Sequence, residues 1–464
     1  MAIKDHLSGG NVGEVLKIAL PLVLASAGHT VNLFADRVML ARYSQEAVAA
    51  AFPAGLTAFT AACLFFGTIG YVNAFVAQYY GEKSLRRIGT AVWQGIFLSL
   101  FGGALLALGW FVAEPLFGLF GHTPTVTNLE IEYFRIVSLG TTFPLLITAF
   151  SAFWSGRGQT TMVMLANFLV TAVNIPCNYL LIYGNKLTLP LLGEVKFPEL
   201  GVAGAAWGTN FAGMIGALFL AAFFFLPRKN RETYWTLTHV WDWELFKRML
   251  RFGTPNGLTF FVDLAAFNIY AVLLGKFGEA VQEATSIAFA VNQLAFMPIV
   301  GIGMTVSVLV GHAVGSGFLD KAERSVKSAR LLAMAYMALM TVLFVFFPDL
   351  VLDIFSRNGD AAQTEALDCA RKFLLFIAAY LVFDAINIIY SSAIKGAGDT
   401  RFAMWAVLVV TWLFFAAPCL LYHWLFPQDF WGLWGILVSN VVIYGLTFYF
   451  RYRGGKWKTM KVIE

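Results

Sequence analysis

Apolar runs of membrane-spanning length recur along the whole of this 464-residue chain. A helix needs about 20 apolar residues to cross a bilayer. Only helices and closed barrels can span, because every backbone group must find its hydrogen-bond partner inside the segment or barrel. The runs predict an all-α polytopic membrane protein with twelve transmembrane helices. Their approximate bounds are 15–40, 47–79, 91–116, 131–153, 161–183, 201–226, 245–275, 282–313, 328–355, 371–394, 402–425 and 431–450.

Composition supports a membrane protein over a soluble one. Only 13% of the residues are charged and 59% are hydrophobic, whereas soluble domains carry about 25% charged residues. The net charge of +5 is modest, and the basic residues lie in short loops beside spans, so we expect no nucleic-acid partner. The four cysteines stand far apart inside apolar runs, without the spacing of disulfides or metal ligands: Cys63, Cys177, Cys369 and Cys419.

The basic residues also predict the orientation of the chain. When both termini are placed on one side, 23 of the 32 Lys and Arg residues fall on that side. Short loops rich in Lys and Arg remain in the cytoplasm. We therefore predict a multi-pass protein of the plasma (inner) membrane with both termini cytoplasmic.

The two halves of the sequence resemble each other. Four pairs of segments match in the same order at offsets of 231 to 240 residues: Pro21 with Pro255, FVAQYYGEKS (75–84) with LVGHAVGSGF (309–318), SGRGQT (155–160) with KGAGDT (395–400), and GVAG (201–204) with GLWG (432–435). An internal repeat of six spans predicts two six-helix lobes. The predicted parts are an N-lobe of residues 1–226, a cytoplasmic linker of 227–244 and a C-lobe of 245–464.

Polar residues interrupt the apolar spans of the N-lobe. In the first span His29 and Asp36 are seven residues apart and share one helix face. An ionised carboxylate facing lipid would cost several kcal/mol, so Asp36 must face a bundle interior or a wet cavity. Asn174 and Asn178 share a face of span five. These residues predict a cation-coupling site, and the alternative is a structural carboxylate with asparagines that hydrogen-bond neighbouring helices.

The C-lobe carries a second set of polar residues. Asn256 and Asp263 lie seven residues apart in span seven, and Asp384 of span ten is flanked by Tyr380 and Asn387. Together they predict a cation or substrate site. The alternative for each acid is a carboxylate that is hydrogen-bonded to a neighbouring helix for structural reasons.

The chain resembles the multidrug and toxic compound extrusion (MATE) family, and more particularly its NorM-like branch. The resemblance is carried by PLVLASAGHTVNLFADRVMLA in span one, the QYYGEK and GHAVGS signatures that close spans two and eight, TPNGLTFFVD in span seven, and FDAINIIYSSAIKGAGDT from span ten onward. It implies a two-lobe efflux pump driven by Na⁺ or H⁺ antiport.

The resemblance also implies roles for single residues. Asp36 matches the N-lobe cation-binding acid and Asn174 its companion, which makes the two possible Na⁺ ligands. Asn178 stands where some relatives have a second Asp, a departure that weakens a two-carboxylate Na⁺ site. Thr209 matches a span-six hydroxyl near the same site. His29 is expected to modulate Asp36, and the alternative is a neutral histidine packed in the core.

In the C-lobe, Asp263 and Asp384 match two acids of the NorM-like branch. Since Lys and Arg are nearly absent from span interiors, acidic cavities favour organic cations. We expect a monomeric secondary antiporter that exports organic cations in exchange for H⁺, Na⁺ or both. Its partners would be small-molecule drugs and membrane lipids, and we expect no catalytic residues and no cofactor other than the coupling ion.

Three other functions are known for proteins with many spans, but they fit this sequence less well. A lipid-linked oligosaccharide flippase of the same superfamily would need cationic side chains in its cavity. An integral-membrane enzyme would need Asp-rich magnesium motifs or clustered histidines, and the six histidines are scattered. An ion channel suits a two-lobe repeat with off-axis acids less well than alternating access does.

Overall fold

The fold is described from a computed structural model that defines residues 10–120, 122–184, 186–189, 193–237, 241–355 and 361–463. For His29, Glu279 and a few other residues within helices or strands only the backbone is described. Twelve stretches of helix in these ranges are long and apolar enough to cross a membrane. The prediction of an all-α protein with twelve spans is confirmed.

Several spans consist of two consecutive helices, and an unpredicted antiparallel hairpin of two short strands follows the fifth span. In chain order the helices and strands are α1 Val12–Tyr43, α2 Gln45–Gly70, α3 Val72–Glu82, α4 Leu85–Ala107, α5 Gly109–Gly118, α6 Pro124–Gly140, α7 Thr142–Ser155, α8 Thr161–Tyr183, β1 Lys186–Leu189, β2 Gly193–Lys196, α9 Gly201–Phe225, α10 Arg228–Tyr234, α11 Trp243–Gly275, α12 Glu279–Ser316, α13 Leu319–Phe346, α14 Pro348–Leu352, α15 Ala361–Ala397, α16 Thr400–Thr411, α17 Ala417–Leu425 and α18 Trp431–Arg453.

The chain divides into two compact units whose limits fall inside helices α1 and α11. The first unit is Leu24–Gly257, and the second joins Met1–Val23 to Leu258–Glu464. The lobe bounds drawn from the sequence, 1–226 and 245–464, stay a prediction.

In the first unit, small residues let helices α8 and α9 approach closely. A methyl group added at Gly204 would lie 2.4 Å from the carbonyl oxygen of Leu181, and one added at Gly208 would lie 1.9 Å from Oδ1 of Asn178. Small residues one turn apart are a common way to bring membrane helices together. Here they press the polar face of α8 against α9.

In the second unit, aromatic rings fill the space between helices α12, α15 and α18. The ring of Trp434 is fully buried and stacks on Phe373 at a centroid distance of 4.3 Å and on Phe289 at 5.4 Å. Near one end of α15, the guanidinium of Arg451 donates to the buried carboxylate of Asp399 at 2.7 Å. Dispersion in the ring cluster and this ion pair hold α15, the long helix that carries Asp384, against its neighbours.

Helix α16 ends in a local change of winding. A five-residue π-helical segment, Trp412–Ala416, follows Thr411 directly and leads into α17. Such segments are frequent at functional sites because they re-aim nearby side chains. Thr411 is a partner of Asp263.

Candidate cation-coupling sites

The structure joins four predicted residues of the first unit in one row of hydrogen bonds. The side-chain amide of Asn178 donates to Oδ1 of Asp36 at 2.6 Å and to Oδ1 of Asn174 at 3.1 Å. The amide of Asn174 donates in turn to the hydroxyl of Thr209 at 3.3 Å. That hydroxyl donates to the carbonyl oxygen of Ala205 in its own helix at 2.9 Å. We call Asp36, Asn174, Asn178 and Thr209 the Asp36 row.

Three helices place the Asp36 row at similar depth. Asp36 lies seven residues before the end of α1, Asn178 five residues before the end of α8, and Thr209 eight residues after the start of α9. At about 1.5 Å per residue these positions are roughly 8 to 12 Å from the ends of their helices. Polar residues on three different helices thereby meet in one layer.

Asn178 has a more direct contact with the acid than the sequence suggested. We expected hydrogen-bonding between helices to be its main role and Asn174 to accompany Asp36, yet Asn178 is the residue that touches the carboxylate. Both asparagines are fully buried. Oδ1 of Asn178 has no hydrogen-bond partner in the described part of the chain and lies against Gly208.

The described hydrogen bond to Asp36 involves only one of its two carboxylate oxygens. In the described contacts it is held through Oδ1, and the side chain is only partly buried. A proton on Oδ2 would therefore keep the hydrogen bond from Asn178. A hard cation needs several oxygen ligands, and the amide of Asn178 presents nitrogen, not oxygen, toward the acid.

The predicted modulator, His29, has a side chain outside the described residues, so its modulation of Asp36 stays a prediction. Between the two, Asn32 lies one turn from Asp36 on α1. Its side chain is 8% exposed, and its Oδ1 has no hydrogen-bond partner among the described residues. A buried amide oxygen of this kind can accept a hydrogen bond from a donor group or from water.

In the second unit, Asp263 accepts hydrogen bonds from two residues that the sequence analysis did not single out. The hydroxyl of Tyr444 donates to its Oδ1 at 2.8 Å, and the hydroxyl of Thr411 donates to the same oxygen at 3.2 Å. The two hydroxyls also lie in contact with each other, so either one can donate its proton to the other instead of to Asp263. The carboxylate itself is exposed within the unit, so it is accessible to a ligand.

A lysine shares the neighbourhood of Asp263. The ammonium of Lys395, near the end of α15, interacts electrostatically with the carboxylate. From the sequence we expected Lys and Arg to be nearly absent from span interiors. In the second unit the acid and a base are therefore within electrostatic range of each other.

Asp384 has a separate set of partners on its own helix. It is 8% exposed, accepts a hydrogen bond from Asn387 and interacts with the hydroxyl of Tyr380, which is 4% exposed. The predicted grouping of these three residues holds. Asp263 and Asp384 share no hydrogen-bond partner in the described contacts, so their predicted joint site stays a prediction.

Asn256 is not brought to this site. Its amide donates to the backbone carbonyl of Gly67 at 2.8 Å, inside the first unit. A methyl group on Gly67 would lie 2.5 Å from Cα of Gly257, so the two helices are in close contact there. Asn256 and Asp263 lie on one face of α11 because they are seven residues apart. They are about 10 Å apart along the helix, and that face contacts different residues at the two positions.

Comparison with known proteins gives the family. The sequence profile of the MatE family matches residues 21–180 and, a second time, residues 255–420. The starts of the two matches are 234 residues apart and their ends 240 apart, which are the offsets found within the sequence. The predicted internal repeat is thus supported by an independent alignment.

The curated relatives cover nearly the whole chain. A probable multidrug resistance protein NorM from Neisseria meningitidis is 26% identical over 92% of this chain and 90% of its own length. The multidrug resistance protein PmpM from Pseudomonas aeruginosa is 26% identical over 86% of this chain and 81% of its own length.

A solved structure has the same fold. A MOP superfamily transporter from Pyrococcus furiosus superposes with a TM-score of 0.85 at 20% identity, over 98% of both chains. Because the profile match covers well over half of the sequence in two copies, this protein belongs to the MatE family.

Proposed function

We propose that this protein is a secondary active transporter that exports amphipathic organic cations in exchange for protons, with Asp36 as the coupling group. The two curated relatives described above are named as multidrug resistance proteins, which supports export of drugs. The observation that carries the proton assignment is the Asn178 amide, which donates to Asp36 while its own oxygen lies against Gly208.

The hydrogen-bond directions distinguish a proton from a sodium ion. To bind Na⁺ beside Asp36, the amide of Asn178 would have to rotate so that its oxygen faces the ion. The rotation would give up its bonds to Asp36 and Asn174, each worth about 1 kcal/mol or more, and the bond to the charged acid the most. A proton on Oδ2 of Asp36 requires no such change.

In this proposal, transport depends on a change in the charge of one carboxylate, that of Asp36. The ionised carboxylate attracts an organic cation or a proton, and protonation removes that charge. In alternating access, substrate and proton would compete for the same electrostatic interaction from opposite sides of the membrane. The second unit, with Asp263 and Asp384, would contribute cation or substrate contacts. We place the protein in the plasma (inner) membrane, with cytoplasmic termini, acting as a monomer without a catalytic step.

Sodium coupling is the second candidate. Asp36, Asn174 and Thr209 each carry a side-chain oxygen in one layer, and oxygen is the ligand that Na⁺ requires. The proposal therefore has to be tested against Na⁺ directly.

The test uses purified protein in liposomes with ethidium as the transported probe and separately imposed pH and Na⁺ gradients. We expect the wild type to move ethidium under a pH gradient without Na⁺. Asp36→Asn should abolish that flux and leave the protein folded and inserted, since removing a charge does not hinder insertion. The matched control is Asp368→Asn, a change of the same kind at a side chain that is 67% exposed.

Two outcomes would overturn the proposal. Full ethidium flux in Asp36→Asn would show that another group couples. If the pH gradient drives no flux in the wild type and a Na⁺ gradient restores it, the site is a sodium site.

A further inference from the structure

Helix α6 of the first unit carries a buried carboxylate, Glu130, that is not part of the Asp36 row. Its side chain is 0% exposed. Oε1 is 2.9 Å from Nδ1 of His122, and Oε2 has no hydrogen-bond partner in the described part of the chain. Burying a carboxylate with one oxygen unsatisfied costs several kcal/mol. Glu130 lies at the edge of the fourth apolar run, and a buried polar atom without a partner at such a place calls for an explanation.

His122 connects this carboxylate to the surface. It lies just before α6, and its side chain is 40% exposed. Its imidazole has two ring nitrogens, so it can take up a proton at one and release a proton from the other. A buried acid bonded to an exposed imidazole is the arrangement that passes a proton between solvent and a protein interior.

Glu130 and Asp36 lie at similar depth. Glu130 is six residues after the start of α6, and Asp36 is seven residues before the end of α1. Both are therefore about 10 Å from those helix ends. The two ends belong to one side of the first unit, because Tyr133 of α6 packs in the same apolar cluster as Leu40, near the end of α1.

Tyr133 bridges the surroundings of the two acids. It lies three residues after Glu130, on the same face of α6. It packs against the buried cluster that includes Leu40, one turn beyond Asp36, and also against the cluster of Phe117 and Phe134. Its phenol interacts electrostatically with the Asp36 carboxylate.

A direct path along α1, α8 and α9 is closed by apolar side chains. Leu40, Ile182 and Ala205 are one turn from Asp36, Asn178 and Thr209 respectively, and each lies toward the same ends of those helices. They form one buried cluster. An apolar layer offers a proton no hydrogen-bond partner, so the ionisable groups of α6 provide the polar path around it.

We propose that His122 and Glu130 are the proton entry of the first unit, which passes protons between solvent and Asp36 beside Tyr133. The inference rests on the proposed role of Asp36. A hydronium ion gives a proton to Nε2 of neutral His122 and becomes water. The imidazolium releases the proton on Nδ1 to Oε1 of Glu130, which becomes a neutral carboxylic acid, and the imidazole is left neutral with its proton on Nε2. A flip of the neutral ring restores the starting tautomer. Rotation of that carboxyl group carries the proton to the Tyr133 side. Asp36 takes it up through the phenol or water, and Glu130 is again ionised.

The other charged groups near α6 either have hydrogen-bond partners of their own or lie away from this path. Arg135 donates to Glu114 at 2.7 Å and to the carbonyl of Trp110 at 3.1 Å. Glu132 is exposed. On the Asp36 side, the guanidinium of Arg37 is over the ring of Phe52 at 5.1 Å.

The experiment measures proton release when ethidium is added to purified protein in weakly buffered detergent solution, by stopped flow with a pH-sensitive dye. We expect Glu130→Gln and His122→Ala to slow proton release at least 10-fold without changing the number of protons released. External imidazole should restore the rate of His122→Ala, which a merely structural histidine would not show. The control is Glu114→Gln, at a side chain that is 68% exposed, and it should release protons at the wild-type rate.

The outcomes separate this inference from the proposed function. If Asp36→Asn still releases protons on ethidium addition, the proposed coupling role of Asp36 fails. If Asp36→Asn releases none, while Glu130→Gln or His122→Ala releases protons at the wild-type rate, the entry route is wrong and the coupling role stands. Because His122 is exposed, its variant decides the question even where Glu130→Gln does not fold.

Discussion

The contact between Gly208 and Asn178 gives a sharp test of the Asp36 row. In Gly208→Ala the new methyl group would lie 1.9 Å from Oδ1 of Asn178, 3.1 Å from its Cγ and 3.2 Å from its backbone nitrogen. The amide cannot turn away without losing its bonds to Asp36 and Asn174. Relief therefore requires either separation of α8 from α9 or loss of the bond to the acid.

The magnitude follows from three terms. Alanine is favoured over glycine in a helix by about 1 kcal/mol. Overpacking costs roughly 1–3 kcal/mol, and losing a hydrogen bond to a charged group about 1.5–3 kcal/mol. Where both costs apply, the sum predicts a net loss of about 1.5–5 kcal/mol, concentrated at the bond between Asn178 and Asp36.

The assay pairs the thermal denaturation midpoint in detergent with ethidium flux in liposomes. Gly213→Ala is the matched control on the same helix, because its methyl group would be 3.5 Å from the nearest atom, Cβ of Phe143. We expect Gly208→Ala to lower the denaturation midpoint and to abolish most of the ethidium flux. Gly213→Ala should preserve both. Adding Asn178→Ser to Gly208→Ala should recover the midpoint but not the flux. Wild-type behaviour of Gly208→Ala would refute the reasoning.

Three further predictions concern other parts of the molecule. If Asp263 and Asp384 act in one site, their Asn variants should be non-additive in ethidium flux, whereas independent, multiplicative losses would mark them as separate groups. Asp399→Asn should destabilise the protein by about 3–5 kcal/mol, since it leaves the guanidinium of Arg451 with a neutral partner at a buried position; an unchanged denaturation midpoint would contradict this. His29→Gln should shift the pH profile of transport without abolishing it, and an unchanged profile would exclude its modulating role.

The twelve spans could be predicted because the signal is local. Length and hydropathy within one segment decide whether a helix crosses a bilayer. The acids could also be singled out, since a carboxylate such as Asp36 or Asp384 is costly in an apolar span whatever its neighbours are. The bounds of the helices differ from the predicted bounds of the spans because helices continue past the apolar residues, as α3 does to Glu82.

The partners of the acids could not be predicted, because they come from other helices. Tyr444 and Thr411 meet Asp263 from segments more than 140 residues away. Their polarity within apolar runs was a signal, but nothing in the sequence indicates which helix they face. Asn256 shows the same limit, since a shared face of α11 does not imply a shared site. His122 and Glu130 escaped notice because their pairing spans a loop and a helix.

In the proposed function, Asn178 is the residue on which the choice of coupling ion depends. Its amide nitrogen is 2.6 Å from Oδ1 of Asp36, so Asn178→Asp would place a second carboxylate at hydrogen-bond distance from the first. Two carboxylates so close cannot both be ionised unless a cation lies between them or they share a proton. The pair would provide the charge and the oxygen ligands that the amide withholds from Na⁺.

We therefore expect Asn178→Asp to make ethidium flux respond to a Na⁺ gradient at alkaline pH, where a shared proton is lost, while the wild type responds to the pH gradient alone. Asn167→Asp is the matched control on α8, because the amide of Asn167 donates to the carbonyl of Val163 within its own helix at 2.9 Å. It adds the same charge without meeting Asp36 and should leave the flux insensitive to Na⁺. If Asn178→Asp is equally insensitive, the amide does not decide between the ions, and the preference for protons must originate elsewhere in the first unit.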